Sequence, residues 1–229
     1  MKRHIMAFLA HPDDETFIFG GTIAHYTKRG HRFTIVSATK GEMGRRMGNP
    51  PTITRESMPI VREEELREAC RILGADEPIF LGLRDKTVEY ANRDALIGRL
   101  VELLSTHLPD ALLTFHPQWG GHPDHCAIGE AATSAASRFP DMPLYYIMFG
   151  NPLKSGYGLS KQDVVKIDVS DSLMEKLHAY RAHRSQMELE EWPWRPDREA
   201  VLRFSSHEYF MIADRLPRVK RDDLFLATN

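Results

Sequence analysis

The sequence predicts an α/β fold, a three-layer sandwich with a mostly parallel sheet. Short apolar runs alternate with longer amphipathic stretches, the pattern of βαβ units. Several amphipathic stretches stop at a glycine, as at Arg29-Gly30 and Leu73-Gly74, where a left-handed cap ends a helix. No repeat, low-complexity tract or linker interrupts the pattern, so residues 1–229 are expected to form a single domain.

Taken in order, residues 5–10 read as a buried strand and 16–29 as a helix. A second strand at 33–38 leads into a long loop, 39–59, and then a helix over 60–73. A short strand at 79–81, a helix at 94–104, a strand at 111–115 and a helix over 124–137 follow. Strands at 144–148 and 164–169 come next, then a helix over 171–183 with Asp171 as its N-cap. Residues beyond 183 give no clear periodicity.

Hydrophobic residues make up 42% and charged residues 27%, which suits a globular chain with a core. The 30 basic and 32 acidic residues are interspersed and nearly cancel, to a net charge of −2. Nucleic acid or an anionic membrane would need a clustered basic field, so neither is an expected partner. The basic run at 218–221 reads as a solvated tail. Two cysteines, Cys70 and Cys126, make no disulfide framework and no zinc motif. With no apolar signal core after Met1-Lys2-Arg3-His4, a cytoplasmic protein is expected.

Two blocks carry chemistry. Ala10-His11-Pro12-Asp13-Asp14-Glu15 follows the first strand, and Gly120-Gly121-His122-Pro123-Asp124-His125 follows the fourth. In an open α/β sheet, both would face one crevice beyond the carboxyl ends of the strands. A lone His-x-x-Asp at a turn is commonly just a cap. Two such blocks at the same sheet end read instead as a metal site. Two histidines and a carboxylate leave a position open on a dication, as catalytic zinc sites do. The same donor set also suits Fe2+.

These two blocks together resemble the LmbE-like (PIG-L) family of zinc-dependent N-acetylglucosamine deacetylases. The likeness extends through Arg62-Glu63-Glu64-Glu65-Leu66, Leu81-Gly82-Leu83-Arg84-Asp85 and His183-Arg184-Ser185-Gln186. Within the family, the Gly41-Glu42-Met43-Gly44-Arg45-Arg46-Met47-Gly48-Asn49-Pro50-Pro51 loop is similar to the second type of bacillithiol-biosynthesis deacetylase, which acts on N-acetylglucosaminyl malate. The resemblance implies a Rossmann-like fold, Zn2+ on His11, Asp14 and His125, and an N-acetyl sugar as substrate. It implies a homo-oligomer, a trimer or hexamer.

Carried over residue by residue, the resemblance implies Asp13 as the general base, although sequence alone lets Asp13 and Asp14 exchange roles. His122 would stabilise the oxyanion or protonate the leaving amine. Asp124 would orient His122, cap the following helix, or do both. Arg62 and Asp85 match positions that contact the sugar and its substituents; a solvated or ion-paired role is the plainer reading of Arg62. Arg45, and with it Arg46 and Asn49, would reach an anionic substrate from the loop. Some family members carry a tyrosine where this chain has Gly120, so that role does not transfer. His183 reads as a structural hydrogen-bonding residue at a helix end that could also touch the site. Cys126 reads as core packing, and Trp192-Pro193-Trp194 as a lid, an oligomer contact or simple packing. Hydrolysis of another amide (a thiol conjugate or a chitooligosaccharide) and a non-catalytic metal-binding sugar-ligand module stay open as alternatives.

Overall fold

The computed structural model describes residues 2–45, 47–48, 50–213 and 223–225. Arg46, Asn49 and the basic run at 218–221 lie outside the described residues. Strands β1 (His4–Leu9), β2 (Arg32–Thr39), β3 (Ile79–Leu83), β4 (Ala111–Phe115), β5 (Leu144–Ile147), β6 (Val164–Asp168) and β7 (His207–Ile212) form one sheet in the order β3-β2-β1-β4-β5-β7-β6. β1 to β5 pair in parallel, and β7 runs antiparallel between β5 and β6.

Every residue of β1 and β4 is buried, because helices cover both faces. Helices α1 (Asp14–Lys28), α2 (Met58–Leu73) and α5 (Leu173–Ala182) pack together as one layer. Helices α3 (Arg93–His107) and α4 (Pro123–Ala136) form the other. From β1 the strand order runs one way to β2 and β3 and the other way to β4 and β5. The β1–β4 boundary is therefore the switch point, where such sheets open a crevice.

Three expectations change. Asp171 is not an N-cap: it lies in a 3-10 turn, Ser170–Ser172, and Ser172 precedes α5. The Asp171 carboxylate instead accepts from Arg29 at 3.0 Å and from the Ser172 hydroxyl at 2.8 Å. The N-cap of α4 is His122 rather than Asp124. Finally, β7 fills the stretch that showed no periodicity. Its Glu208 accepts from the backbone N–H groups of Gly21 and Thr22, at 3.1 and 2.6 Å, beside a kink of α1 at Phe19. A carboxylate inserted into a helical ladder is a recognised cause of such a kink. The buried charge is balanced by Lys176 Nζ at 2.6 Å. No helix among the described residues is long and apolar enough to cross a membrane.

Candidate metal centre

At the carboxyl end of β1 the chain makes a sharp turn through Asp13, whose φ of 106° lies in the left-handed region. Non-glycine residues adopt it rarely, and such strain concentrates at functional sites. The turn is held by Glu15, which is fully buried. Glu15 Oε2 accepts the Asp13 N–H at 3.0 Å, and Oε1 accepts from His183 Nε2 at 2.7 Å and from the Thr16 hydroxyl at 2.5 Å. His183 is therefore a support behind the turn and does not line the cavity. The sequence singled out neither Glu15 nor this link, although both residues lie in the quoted motifs.

The turn separates the two aspartates. Asp14 Oδ1 stands 3.2 Å from His125 Nε2, and Oδ2 stands 3.8 Å from His11 Nδ1. The two ring nitrogens are 3.3 Å apart. Zinc–ligand bonds of 2.0–2.2 Å at tetrahedral angles place donor atoms roughly 3.3–3.6 Å apart, so the trio fits one small dication. The far side of each ligand is already engaged. His125 Nδ1 donates to Gly120 O at 2.8 Å, and its ring stacks on Phe115 at 3.8 Å. His11 Nε2 faces Asp124 Oδ2 at 3.1 Å and Asp85 Oδ1 at 3.2 Å. Asp14 Oδ2 accepts from the His11 and Ala10 N–H groups at 2.8 and 3.2 Å. Two imidazole lone pairs and a carboxylate oxygen are thus left converging on one point, as oriented metal ligands are.

His11, His122 and Asp124 form a second cluster of close donor atoms. Part of this second set is already engaged by protein N–H groups. The Asp124 carboxylate accepts the Lys86 and Val88 N–H groups at 2.6 and 3.1 Å, and His122 Nδ1 accepts the Asp124 N–H at 3.1 Å. The expected orientation of His122 by the Asp124 side chain is therefore corrected: that carboxylate holds His11, and only its backbone holds His122.

Burial alone would lower His11, but Asp124, Asp85 and Asp14 overcome it and hold the ring up at about 10. His125 is also raised, since Asp14 outweighs its burial. Asp14 is driven well below the usual carboxylate range, its burial overcome by His125 and His11. Asp13 goes the other way. Burial, opposed by Arg62 and reinforced by Asp14, pushes it to about 6. Burial and the neighbouring His11 and His125 lower His122. Without a cation, the site has an anionic field that a dication would satisfy.

Arg62 is not solvated. It is 4% exposed, donating to Asp13 Oδ2 and Gly41 O at 2.8 Å each and also to Pro12 O. These bonds give both terminal amino groups protein acceptors, while the buried Nε has no hydrogen-bond partner among the described residues. Asp85 faces His11 and ties down the long loop by accepting from Met43 N–H at 2.9 Å. Arg45 is exposed on that loop.

These residues border a cavity of about 430 Å3, whose wall includes Met43, Arg45, Lys86 and Gln186 as well as the metal trio. The last two were not anticipated, although Gln186 closes a quoted motif. A larger cavity of about 510 Å3 lies at the other end of the strands, between Arg3, Asp110 and Arg138, and no histidine lines it. Cys126 lies outside both donor clusters. Trp192 packs on Tyr180 and Phe204, with ring centres 5.1 and 5.5 Å away, so packing is the reading its contacts favour. Gly120 cannot carry a side chain here, because a Cβ would stand 2.8 Å from His125 Cβ and 3.0 Å from Cys126 N.

A family model described as GlcNAc-PI de-N-acetylase (PIG-L) matches residues 6–136. The chain belongs to the PIG-L family. It is 40% identical over 191 residues to the probable N-acetyl-alpha-D-glucosaminyl L-malate deacetylase 2 of Bacillus anthracis, covering 81% of this chain and 82% of that protein. The Bacillus subtilis protein of the same description is 38% identical, with 82% and 85% covered. A 1D-myo-inositol 2-acetamido-2-deoxy-alpha-D-glucopyranoside deacetylase of a Mycobacterium species is 32% identical, with 78% and 72% covered. Among solved structures, N,N'-diacetylchitobiose deacetylase from Pyrococcus horikoshii superposes with a TM-score of 0.71 at 24% identity, covering 93% of this chain and 84% of its own. A 4-carboxy-2-hydroxymuconate hydratase from Pseudomonas putida also superposes at 0.71, with 20% identity and 96% and 98% covered. The architecture is therefore shared across different reactions, and the site must decide the chemistry.

Proposed function

We propose that this chain is a metal-dependent deacetylase that removes the N-acetyl group of N-acetylglucosaminyl malate, in bacillithiol biosynthesis. One observation carries the reading: the His11, Asp14 and His125 donor atoms converge, each oriented from behind, in a chain of the PIG-L family. The malate substrate is supported by the bacillary relatives, which match at up to 40% identity.

His11 Nδ1, His125 Nε2 and Asp14 would hold one divalent ion, with Zn2+ favoured by the family and Fe2+ compatible with the donors. When bound, such an ion supplies Lewis acidity toward the acetyl carbonyl and toward water. Arg62 holds Asp13 Oδ2, leaving the other carboxylate oxygen to accept the proton of the attacking water. His122 Nδ1 accepts a backbone N–H, so its neutral ring carries the proton on Nε2. That N–H is a donor for the developing oxyanion, a role Gly120 cannot supply. The protonated Asp13 then delivers its proton to the leaving nitrogen as the C–N bond breaks. Water and amide thus become acetate and a free glucosamine. The whole chain serves as one catalytic domain, working in the cytoplasm as a homo-oligomer.

An acetate-release assay on N-acetylglucosaminyl malate, free N-acetylglucosamine, a chitooligosaccharide and a thiol conjugate tests this reading. Preference for the malate glycoside supports it. Preference for another amide reassigns the substrate, and acetate from none favours a non-catalytic binding module.

A further inference from the structure

We infer that Lys86 binds a carboxylate of the substrate's aglycone and so selects malate glycosides over neutral ones. The inference rests on the malate reading above. Apart from the histidines, three cationic residues line the cavity: Arg45, Arg62 and Lys86. Arg62 is buried, with its amino groups engaged by Asp13, Gly41 and Pro12. The exposed Lys86 has no ion-pair partner among the described residues, while Asp13, Asp14 and Asp85 line the same cavity. An anionic substituent entering beside three carboxylates needs a compensating cation on the wall.

Backbone geometry singles out Lys86 over Arg45. Its φ of 65° lies in the left-handed region, where glycine or asparagine would fit with less strain. Its N–H donates at 2.6 Å to Asp124 Oδ2, the same oxygen that faces His11 Nε2 at 3.1 Å. The lysine backbone is thus fixed to the carboxylate that orients a metal ligand. Arg45 is also exposed, but the corresponding anchor in its loop lies two residues earlier, where Met43 N–H donates to Asp85 at 2.9 Å, and not at Arg45 itself. A strained non-glycine residue whose side chain meets no protein partner is better explained by a ligand than by packing.

The test is the ratio of kcat/KM for N-acetylglucosaminyl malate to that for the neutral 1D-myo-inositol glycoside, measured with zinc-loaded wild type, Lys86→Met, Lys86→Gly and Lys86→Arg. Losing one charge-assisted contact should lower the ratio about tenfold in Lys86→Met and Lys86→Gly, mainly through KM. Lys86→Arg should largely retain it. Lys86→Gly should also melt at a higher temperature, because it relieves the backbone strain. A wild type that prefers malate, with Lys86→Met equally selective, overturns the role of Lys86 and leaves the substrate reading intact. A wild type that does not prefer malate, or acts on neither glycoside, overturns the substrate reading and the inference with it.

Discussion

Arg62 Nη2 donates to Asp13 Oδ2 at 2.8 Å from a side chain that is 4% exposed. The contact joins α2 to the strained turn after β1, and it fixes the carboxylate that the mechanism needs as a base. Arg62→Lys keeps the charge but cannot reach Asp13, Gly41 and Pro12 together. A misplaced base costs turnover more than binding, so kcat should fall about a hundredfold while KM changes little. Steady-state kinetics on the malate glycoside check this. A rise in KM with kcat preserved would instead make Arg62 a substrate-binding residue.

Asp13 must be ionised to accept a proton, so activity is lost as pH falls through its pKa. Burial holds it up at about 6 without a cation, and a neighbouring dication lowers that value. The acid limb of kcat/KM should therefore have its midpoint below 6 in metal-loaded enzyme. Asp13→Asn should retain metal and lose about a thousandfold in kcat. A pH–rate profile taken with metal content monitored tests both. A rate that rises as pH falls would contradict the base role.

His183 is fully buried against Glu15, and the Glu15 and Asp13 charges overcome burial to raise its pKa. A raised folded-state pKa gives stability that is fully present below about 6.5 and is lost as pH rises through the folded value. In chelated protein, the melting-temperature advantage of wild type over His183→Gln should shrink as pH rises above 6.5. An advantage that stays level or grows would show that His183 is neutral there.

Gly129 lies where α4 crosses the end of β4, and a Cβ would stand 2.3 Å from Phe115 O. That neighbour is backbone and cannot swing aside. Gly129→Ala should destabilise the protein by about 1–3 kcal/mol, read from denaturant unfolding of the chelated form. No loss of stability would mean that helix and strand separate more readily than this packing implies.

β1 and β4 were legible because strands covered on both faces are written as nearly continuous apolar runs, and β2 because only small hydroxyl residues interrupt Phe33, Ile35, Val36 and Ala38. His207–Ile212 begins with His-Glu and follows a stretch of short turns, so no period marked it as β7. The metal ligands were legible because each block is local in sequence. The division of labour between Asp13 and Asp14 was not, since it depends on a left-handed backbone at a residue that does not announce one. Contacts between distant segments were equally hidden. Asp124 meets His11 across 113 residues, and Arg62 meets Asp13 across 49.

A single ion on His11, Asp14 and His125 is what would make this chain a deacetylase. The most direct test of this is an anaerobic titration of Zn2+ or Fe2+ into chelated protein, following acetate released from N-acetylglucosaminyl malate against metal bound. Acetate release should start near zero and saturate at one ion per chain. Acetate from metal-free protein, or none from the fully loaded chain, would contradict it.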